Sequence, residues 1–102
     1  MAIRRIVKMT FKAERCADFE AYFSEIKNQV GNQPGCHGVK LLRDIKDSGV
    51  YFTYSIWDDE TALNAYRYTP LFAVVWPKVK VWFASKPEAW STEISLESTQ
   101  EK

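Results

Sequence analysis

Alternation of apolar and polar side chains predicts four β-strands. In the first, residues 3–11, the apolar face carries Ile3, Val7, Met9 and Phe11, and the other face carries Arg4, Ile6, Lys8 and Thr10. Such a period of two is typical of a half-buried strand. Residues 36–44 and 89–94 are the second and fourth strands.

The third strand, residues 50–57, has the clearest alternation in the chain. One face carries Val50, Phe52, Tyr54 and Ile56, and the other carries Tyr51, Thr53, Ser55 and Trp57. We interpret Tyr54 as facing the helices in the core. The short turn at residues 47–49 is rich in turn-forming side chains, which predicts that strands two and three form an antiparallel hairpin.

Spacings of three and four residues predict a helix over residues 14–30. Its apolar stripe is Cys16, Phe19, Phe23, Ile26 and Val30. A stripe of this kind faces a core. Gly31 and Pro34 end the helix, because glycine suits the left-handed cap position and proline cannot continue the helix.

A second helical region is predicted in two pieces. The first begins with the acidic residues at 58–60, which suit a helix start, and ends near Tyr68. Thr69 and Pro70 begin the second, as cap and first helical residue. It extends to about Phe83 and should kink at Pro77. Residues 79–83 also alternate, so a strand is the alternative there.

The element order is strand, helix, strand, strand, helix in two pieces, strand. It predicts an α+β, ferredoxin-like βαββαβ fold with a four-stranded antiparallel sheet and helices on one face. Residues 1–95 are expected to form a single domain, and residues 96–102 a frayed polar tail. The uncovered sheet face is predicted to carry apolar groups at Ile6, Leu42, Tyr51 and Trp57. We therefore expect a homodimer through this sheet face; the alternative is scattered surface apolar residues.

Composition narrows the classes of function. A net charge of +1 gives no field that favours nucleic acid or an anionic membrane. No apolar run approaches the roughly 20 residues of a membrane span, and the N-terminus lacks a signal-peptide pattern, so we expect a cytoplasmic protein. One histidine and two cysteines offer no metal-binding motif. Aromatic residues, at 15%, are abundant.

Three segments resemble the antibiotic biosynthesis monooxygenase (ABM) family of dimeric α+β barrels. They are the strand end Tyr54–Trp57, the acid-opened helix at 58–68, and Leu71–Phe72 at the start of the next helix. The resemblance covers residues 3–94 and implies a dimeric α+β barrel. The family includes cofactor-free oxygenases of polycyclic aromatic phenols and quinols, haem-degrading enzymes, and members without known activity.

The haem-degrading branch is the weaker match. Its iron-ligating histidine falls near Trp76 in this chain, and its tryptophan falls near Tyr66. The first-strand asparagine is missing, since residues 8–10 are Lys, Met and Thr. The resemblance therefore implies no haem and no other cofactor.

His37 is the candidate catalytic residue. As the side chain that titrates near neutral pH, it would be the general base that removes a phenolic proton before oxygen attacks. The alternative is a surface histidine at a glycine-flanked strand start.

The candidate substrate-binding residues are Asn64, Tyr66, Tyr68, Trp57 and Trp76. The resemblance places the first three on a helix that lines the cleft, where one or two of them would hydrogen-bond a hydroxylated ring, since side chains on successive helical turns converge only partly. The alternative is a helix surface with one core contact. The two tryptophans would stack on a flat ligand, and core packing is the alternative. Two functions stay open: a cofactor-free monooxygenase that binds a small planar aromatic compound, or a non-catalytic dimeric module that binds a small ligand or serves a structural role.

Overall fold

A computed structural model describes residues 2–98, and its sheet has the predicted topology. The strands are β1 (Ile3–Thr10), β2 (Cys36–Arg43), β3 (Val50–Trp57) and β4 (Glu88–Thr92). All pairings are antiparallel, in the order β2–β3–β1–β4. The α+β ferredoxin-like prediction is thus confirmed. Of the predicted polar tail, residues 99–102 lie outside the described range.

Three helices pack on one face of this sheet. They are α1 (Cys16–Gly31), preceded by a short 3-10 turn at Ala13–Arg15, α2 (Glu60–Arg67) and α3 (Pro70–Lys80). α3 ends earlier than predicted, and the next residues pair with the end of β1: the Ala84 N–H donates to the Thr10 carbonyl at 2.7 Å. None of the helices in residues 2–98 is long and apolar enough to cross a membrane.

The break between α2 and α3 is fixed by hydrogen bonds at Thr69. Its hydroxyl accepts from the Phe72 N–H at 3.2 Å and donates to the Tyr66 carbonyl at 2.7 Å. Asp59 caps α2 in the same manner, accepting from the Ala62 N–H at 2.9 Å. A cap of this kind stabilises a helix by about 1 kcal/mol. The predicted two-piece helix is therefore confirmed.

The core lies where α1 crosses the sheet. Phe19, Phe23, Ile26 and Val30, four members of the predicted stripe, are buried. Phe19 stacks on Phe11 with ring centroids 4.1 Å apart. Tyr51 closes the cluster from β3 with its ring edge towards Phe19. The periodicity of residues 14–30 thus identified the buried face correctly.

The assignment of the two faces of β3 was wrong. Tyr51 and Trp57, predicted on the uncovered face, are each 1% exposed beneath the helices. Tyr54, predicted to face the helices, is paired with Ile6 on the uncovered face. Alternation divides a strand into two faces but does not say which is covered, and in β3 both faces carry large apolar side chains.

The uncovered side, called here the open face, is consequently more apolar than predicted. Its apolar members are Ile6, Leu42, Phe52, Tyr54, Ile56 and Trp90, which the strand registers place side by side. Leu42 is 49% exposed and Trp90 44% exposed. Charged residues such as Lys8 and Lys40 lie among them.

Candidate functional site

A cavity of about 240 Å³, called here the inner cavity, lies between the helices and the covered sheet face. It exceeds the roughly 150 Å³ of an engineered apolar cavity that holds benzene. It is slightly smaller than the roughly 300 Å³ at which pockets for drug-sized ligands begin. Its exposed lining residues, Glu88 and Ala89, belong to the start of β4, which places its rim there.

One wall of the inner cavity is a continuous chain of aromatic rings. Tyr66 stacks on Trp57, with centroids 5.2 Å apart and planes 27° apart. Phe72 meets Tyr66 edge-on at 5.2 Å, and Trp76 lies nearly parallel to Phe72 at 6.1 Å. The rings come from the end of β3, from α2 and from α3. The break at Thr69 between α2 and α3 therefore sets the positions of Phe72 and Trp76 relative to Tyr66. Such a wall suits the face of a flat apolar molecule.

Tyr66 brings a hydroxyl group to this wall. No residue in the described range 2–98 forms a side-chain hydrogen bond with this hydroxyl. Burial, and then the nearby Cys36 and Tyr22, raise the pKa of Tyr66 to about 12. The phenol therefore stays protonated at neutral pH, where it can donate a hydrogen bond but cannot serve as a base.

The sheet contributes a polar row across the cavity floor. Arg5 of β1 lies between Ser55 of β3 and Ser91 of β4 in the strand register. Its Nη1 donates to Ser91 Oγ at 3.0 Å. Ser55 Oγ accepts from Trp57 Nε1 at 2.9 Å, which orients the indole ring. Arg67, from the end of α2, also lines the cavity.

A second depression, of about 660 Å³, lies at the other end of the molecule, near Glu20 and Arg43. Its polar groups satisfy one another. The Tyr51 hydroxyl donates to the Glu20 carboxylate, which also accepts from Arg43 Nη1 at 3.1 Å. With its polar groups already paired, this depression is a weaker candidate for a ligand site than the inner cavity.

The inner cavity brings together three of the predicted site residues: Trp57, Tyr66 and Trp76. Asn64 and Tyr68 are not among its lining residues. Asn64 is exposed and accepts from Arg67 Nη1 at 3.3 Å, and Tyr68 is 89% exposed. Their substrate-binding roles stay predictions.

His37 lies at the start of β2 and is also not among the lining residues of the inner cavity. Its Nε2 is 2.5 Å from Asp58 Oδ1, and both side chains are 59% exposed. A general base must come within hydrogen-bond reach of the proton that it removes. Its predicted catalytic role is untested. No group of three or more metal-ligating side chains occurs within residues 2–98.

Sequence reasoning missed the two arginines of the cavity. Arg5 occupies the same face of the first strand as Ile3, Val7 and Met9, and a charge inside an apolar face was the available signal. Arg67 follows a tyrosine at the end of an amphipathic helix, and nothing in its spacing distinguishes it from a solvated side chain.

Comparison with known proteins agrees with this architecture. The family model for antibiotic biosynthesis monooxygenases, ABM, matches residues 2–75. No curated protein matches the sequence significantly. A candidate antibiotic biosynthesis monooxygenase from Bordetella bronchiseptica is 26% identical, with a TM-score of 0.84 over 93% of this chain and 98% of that one.

Two further solved structures share the fold at lower identity. A candidate antibiotic biosynthesis monooxygenase from Caulobacter crescentus is 22% identical, with a TM-score of 0.84 over 93% of this chain and 91% of that one. SnoaB, a cofactor-independent oxygenase from Streptomyces nogalater solved as a point variant, is 18% identical, with a TM-score of 0.85 over 97% of this chain and 98% of that one. Since the family model covers most of its length, this chain belongs to the antibiotic biosynthesis monooxygenase family.

Proposed function

We propose that the inner cavity binds a small planar aromatic substrate and that the chain oxygenates it without a cofactor. The observation that carries this proposal is the cavity itself, with a wall of four linked rings and few polar groups. Family membership supports it, as does the description of SnoaB as a cofactor-independent oxygenase.

The size of the cavity limits the substrate. About 240 Å³ accommodates one or two fused rings by comparison with the roughly 150 Å³ cavity that holds benzene. A larger polycyclic compound would require Phe72 or Trp76 to move, since both are half-buried in the wall. We therefore expect affinity to fall when a third ring is added.

The polar groups would orient such a substrate. The Tyr66 hydroxyl would donate a hydrogen bond to a ring oxygen, because it stays protonated at neutral pH. The positive charges of Arg5 and Arg67 would favour the ionised form of a bound phenol. An ionised phenol, its proton released to solvent, is the electron-rich species that can react with dioxygen. One oxygen atom would enter the ring and the other would leave as water, with the electrons and hydrogens supplied by the substrate, as when a naphthol becomes a naphthoquinone.

The second candidate is a dimeric module that binds a small ligand without turnover. The position of His37 favours it, since this histidine is not among the residues that line the inner cavity. The two candidates share the binding step and differ only in oxygen consumption.

The experiment pairs two adjacent valines. Val75 lines the cavity, whereas Val74 is 64% exposed and does not. Val75→Phe should fill the cavity and weaken binding of a two-ring phenol at least about tenfold, equivalent to about 1.4 kcal/mol, with Val74→Phe close to the parent protein. Calorimetry measures binding, and an oxygen electrode measures oxygen uptake with naphthols and with one- and two-ring quinols.

Equal weakening by both variants, or no binding in the parent protein, would contradict the cavity as the binding site. Binding without oxygen uptake or product would select the non-catalytic candidate.

We also propose that a second copy of the chain covers the open face. Tyr54 lies at its centre on β3, opposite Ile6 of the neighbouring strand, and Phe52 and Ile56 lie on either side of Tyr54 along β3. A contiguous apolar patch of this kind marks an interaction surface, and a two-fold axis is the commonest way to bury it in a homo-oligomer.

Sedimentation tests this interface. Phe52→Lys should shift the chain from dimer to monomer, because it places a second charge opposite Lys8 within the apolar patch. Lys27→Gln, an exposed change on α1, should leave the dimer intact. A monomeric parent protein at all concentrations would refute the interface.

A further inference from the structure

Arg5 occupies an unusual position for a charged residue. It lies on β1, a central strand of the sheet, on the face that the helices cover, and its neighbours along that face are Ile3 and Val7. Its recorded hydrogen bond is to the neutral Ser91 hydroxyl. Charged groups on a covered face are costly unless they are paired, so this placement requires an explanation.

Arg67 brings a second guanidinium to the same cavity. Its recorded hydrogen bond is also to a neutral group, the Asn64 amide oxygen at 3.3 Å. Within residues 2–98, neither arginine forms an ion pair. Glu88 is the carboxylate among the lining residues, and its ion pair, at 4.0 Å, is with Lys8.

The two arginines also oppose each other. Burial, and then the charge of Arg67, lower the pKa of Arg5 from its usual value. Both arginines are half-buried, so solvent screens part of this repulsion, and the remainder disfavours the empty cavity. An anion that enters the cavity would relieve this repulsion and restore a counter-charge to both groups.

We propose that the ligand of the inner cavity is an aromatic acid whose anionic substituent is bound by Arg5 and Arg67. The inference rests on the proposed function and specifies the chemical class of the substrate. The ring system lies against Trp57 and Tyr66, and the acidic group lies at the polar row. A guanidinium presents its N–H donors as a planar fork that matches a carboxylate or a phosphate.

This arrangement makes the cavity selective by charge as well as by shape. A neutral aromatic of equal size gains the ring contacts but leaves both guanidinium groups without a counter-charge. An aromatic compound with an alkylammonium substituent adds a third positive charge and is repelled. The acid is favoured over both, because hydrogen bonds to charged groups are the strong ones.

Calorimetric titration with 2-naphthoate and 2-naphthamide at neutral pH and low salt tests the inference. The two probes share ring and shape and differ in charge. We expect 2-naphthoate to bind at least about tenfold more tightly than 2-naphthamide. 2-Naphthyl phosphate, as a third probe, distinguishes a preference for phosphate from one for carboxylate.

Three variants assign the preference to residues. Arg67→Met and Arg5→Met should each reduce the ratio of the two affinities towards one, and binding of 2-naphthamide should remain. Arg15→Met, which removes an exposed arginine paired with Asp18, should leave the ratio unchanged. If Arg5→Met does not fold, the result for Arg67→Met alone tests the assignment. Arg67 is the last residue of α2, so its substitution should perturb folding less.

Equal binding of acid and amide by the parent protein would overturn the inference and leave the aromatic site standing. A preference for the acid that survives in both cavity variants would overturn the assignment to Arg5 and Arg67. Binding of neither probe would overturn the inference together with the proposed two-ring site.

Discussion

The layer between helices and sheet has two ends that differ in packing although both are aromatic. At the filled end, Phe11, Phe19 and Tyr51 pack directly on one another, with centroids 4.1 Å apart for the closest pair. At the hollow end, the rings from Trp57 to Trp76 form one wall of a 240 Å³ space. Aromatic content alone therefore does not distinguish a filled core from an open cavity.

Charge distinguishes the two ends. At the filled end, the buried phenol of Tyr51 donates to Glu20, whose carboxylate also binds Arg43, so each polar group has a partner. At the hollow end, Arg5 and Arg67 have no carboxylate partner within residues 2–98. Side chains cannot close over unpaired charge without a desolvation cost, which gives a physical reason for the space to stay open.

The largest expected contrast is in stability. Phe11→Ala at the filled end should lower the free energy of unfolding by about 3–5 kcal/mol, because Phe11 is 3% exposed and is not among the residues that line the inner cavity. Phe72→Ala at the hollow end should cost about 2 kcal/mol, because the side chain is half-buried and already borders a cavity. Urea denaturation measures both losses, provided that the free energy of unfolding depends on urea concentration with the same slope in the two variants.

Similar losses of stability for the two substitutions would contradict this difference in packing, since they would mean that the hollow end is packed as tightly as the filled end. Binding of a three-ring phenol by Phe72→Ala would support it, because removal of the ring enlarges the cavity.

A smaller contrast is expected at high pH. Burial, followed for Tyr51 by the hydrogen bond to Glu20, raises the pKa of both Tyr51 and Tyr66 to about 12. Between the usual value of 10 and 12, the unfolded chain loses phenolic protons that the folded chain keeps. The contribution of these two tyrosines to the free energy of unfolding should therefore be constant below pH 10 and fall as the pH rises towards 12, by at most about 1.4 kcal/mol per pH unit for each tyrosine.

Phenylalanine variants separate the two tyrosines. Tyr66→Phe should flatten the alkaline decline and leave stability at neutral pH unchanged, because no hydrogen bond of its hydroxyl is recorded within residues 2–98. Tyr51→Phe should flatten the decline but lose about 1 kcal/mol at neutral pH through its lost bond to Glu20. Denaturation at pH 7 and pH 11 measures the stability of both variants. If Tyr66→Phe loses as much stability between these pH values as the parent protein, the raised pKa of Tyr66 is contradicted.

The periodic parts of the sequence sufficed to predict the fold. The stripe of α1 and the alternation of β3 each record a packing surface in the spacing of residues, and the caps at Asp59 and Thr69 follow local hydrogen-bond chemistry. The faces of β3 could not be assigned, because the face under the helices mixes Thr53 and Ser55 with its aromatic residues and so resembles a surface.

The site was only partly predictable. Successive members of the set Asn64, Tyr66 and Tyr68 are separated by two positions along α2 and its C-cap. In a helix of 3.6 residues per turn, side chains at this spacing point in different directions, so all three cannot face one cavity. Tyr66, three residues after the buried Leu63, is the one that lines it. The polar row of Arg5, Ser55 and Ser91 joins three strands that are distant in sequence, so only the register reveals it.

Strand β4 has a dual role that follows from its five residues. Ala89 lines the inner cavity, and Ser91 holds Arg5, whereas Trp90 between them points to the open face. As the edge strand, β4 is joined to the sheet by β1 alone. Because Ala89 and Trp90 are adjacent on this one strand, a shift of β4 would displace the rim of the inner cavity and the open face together.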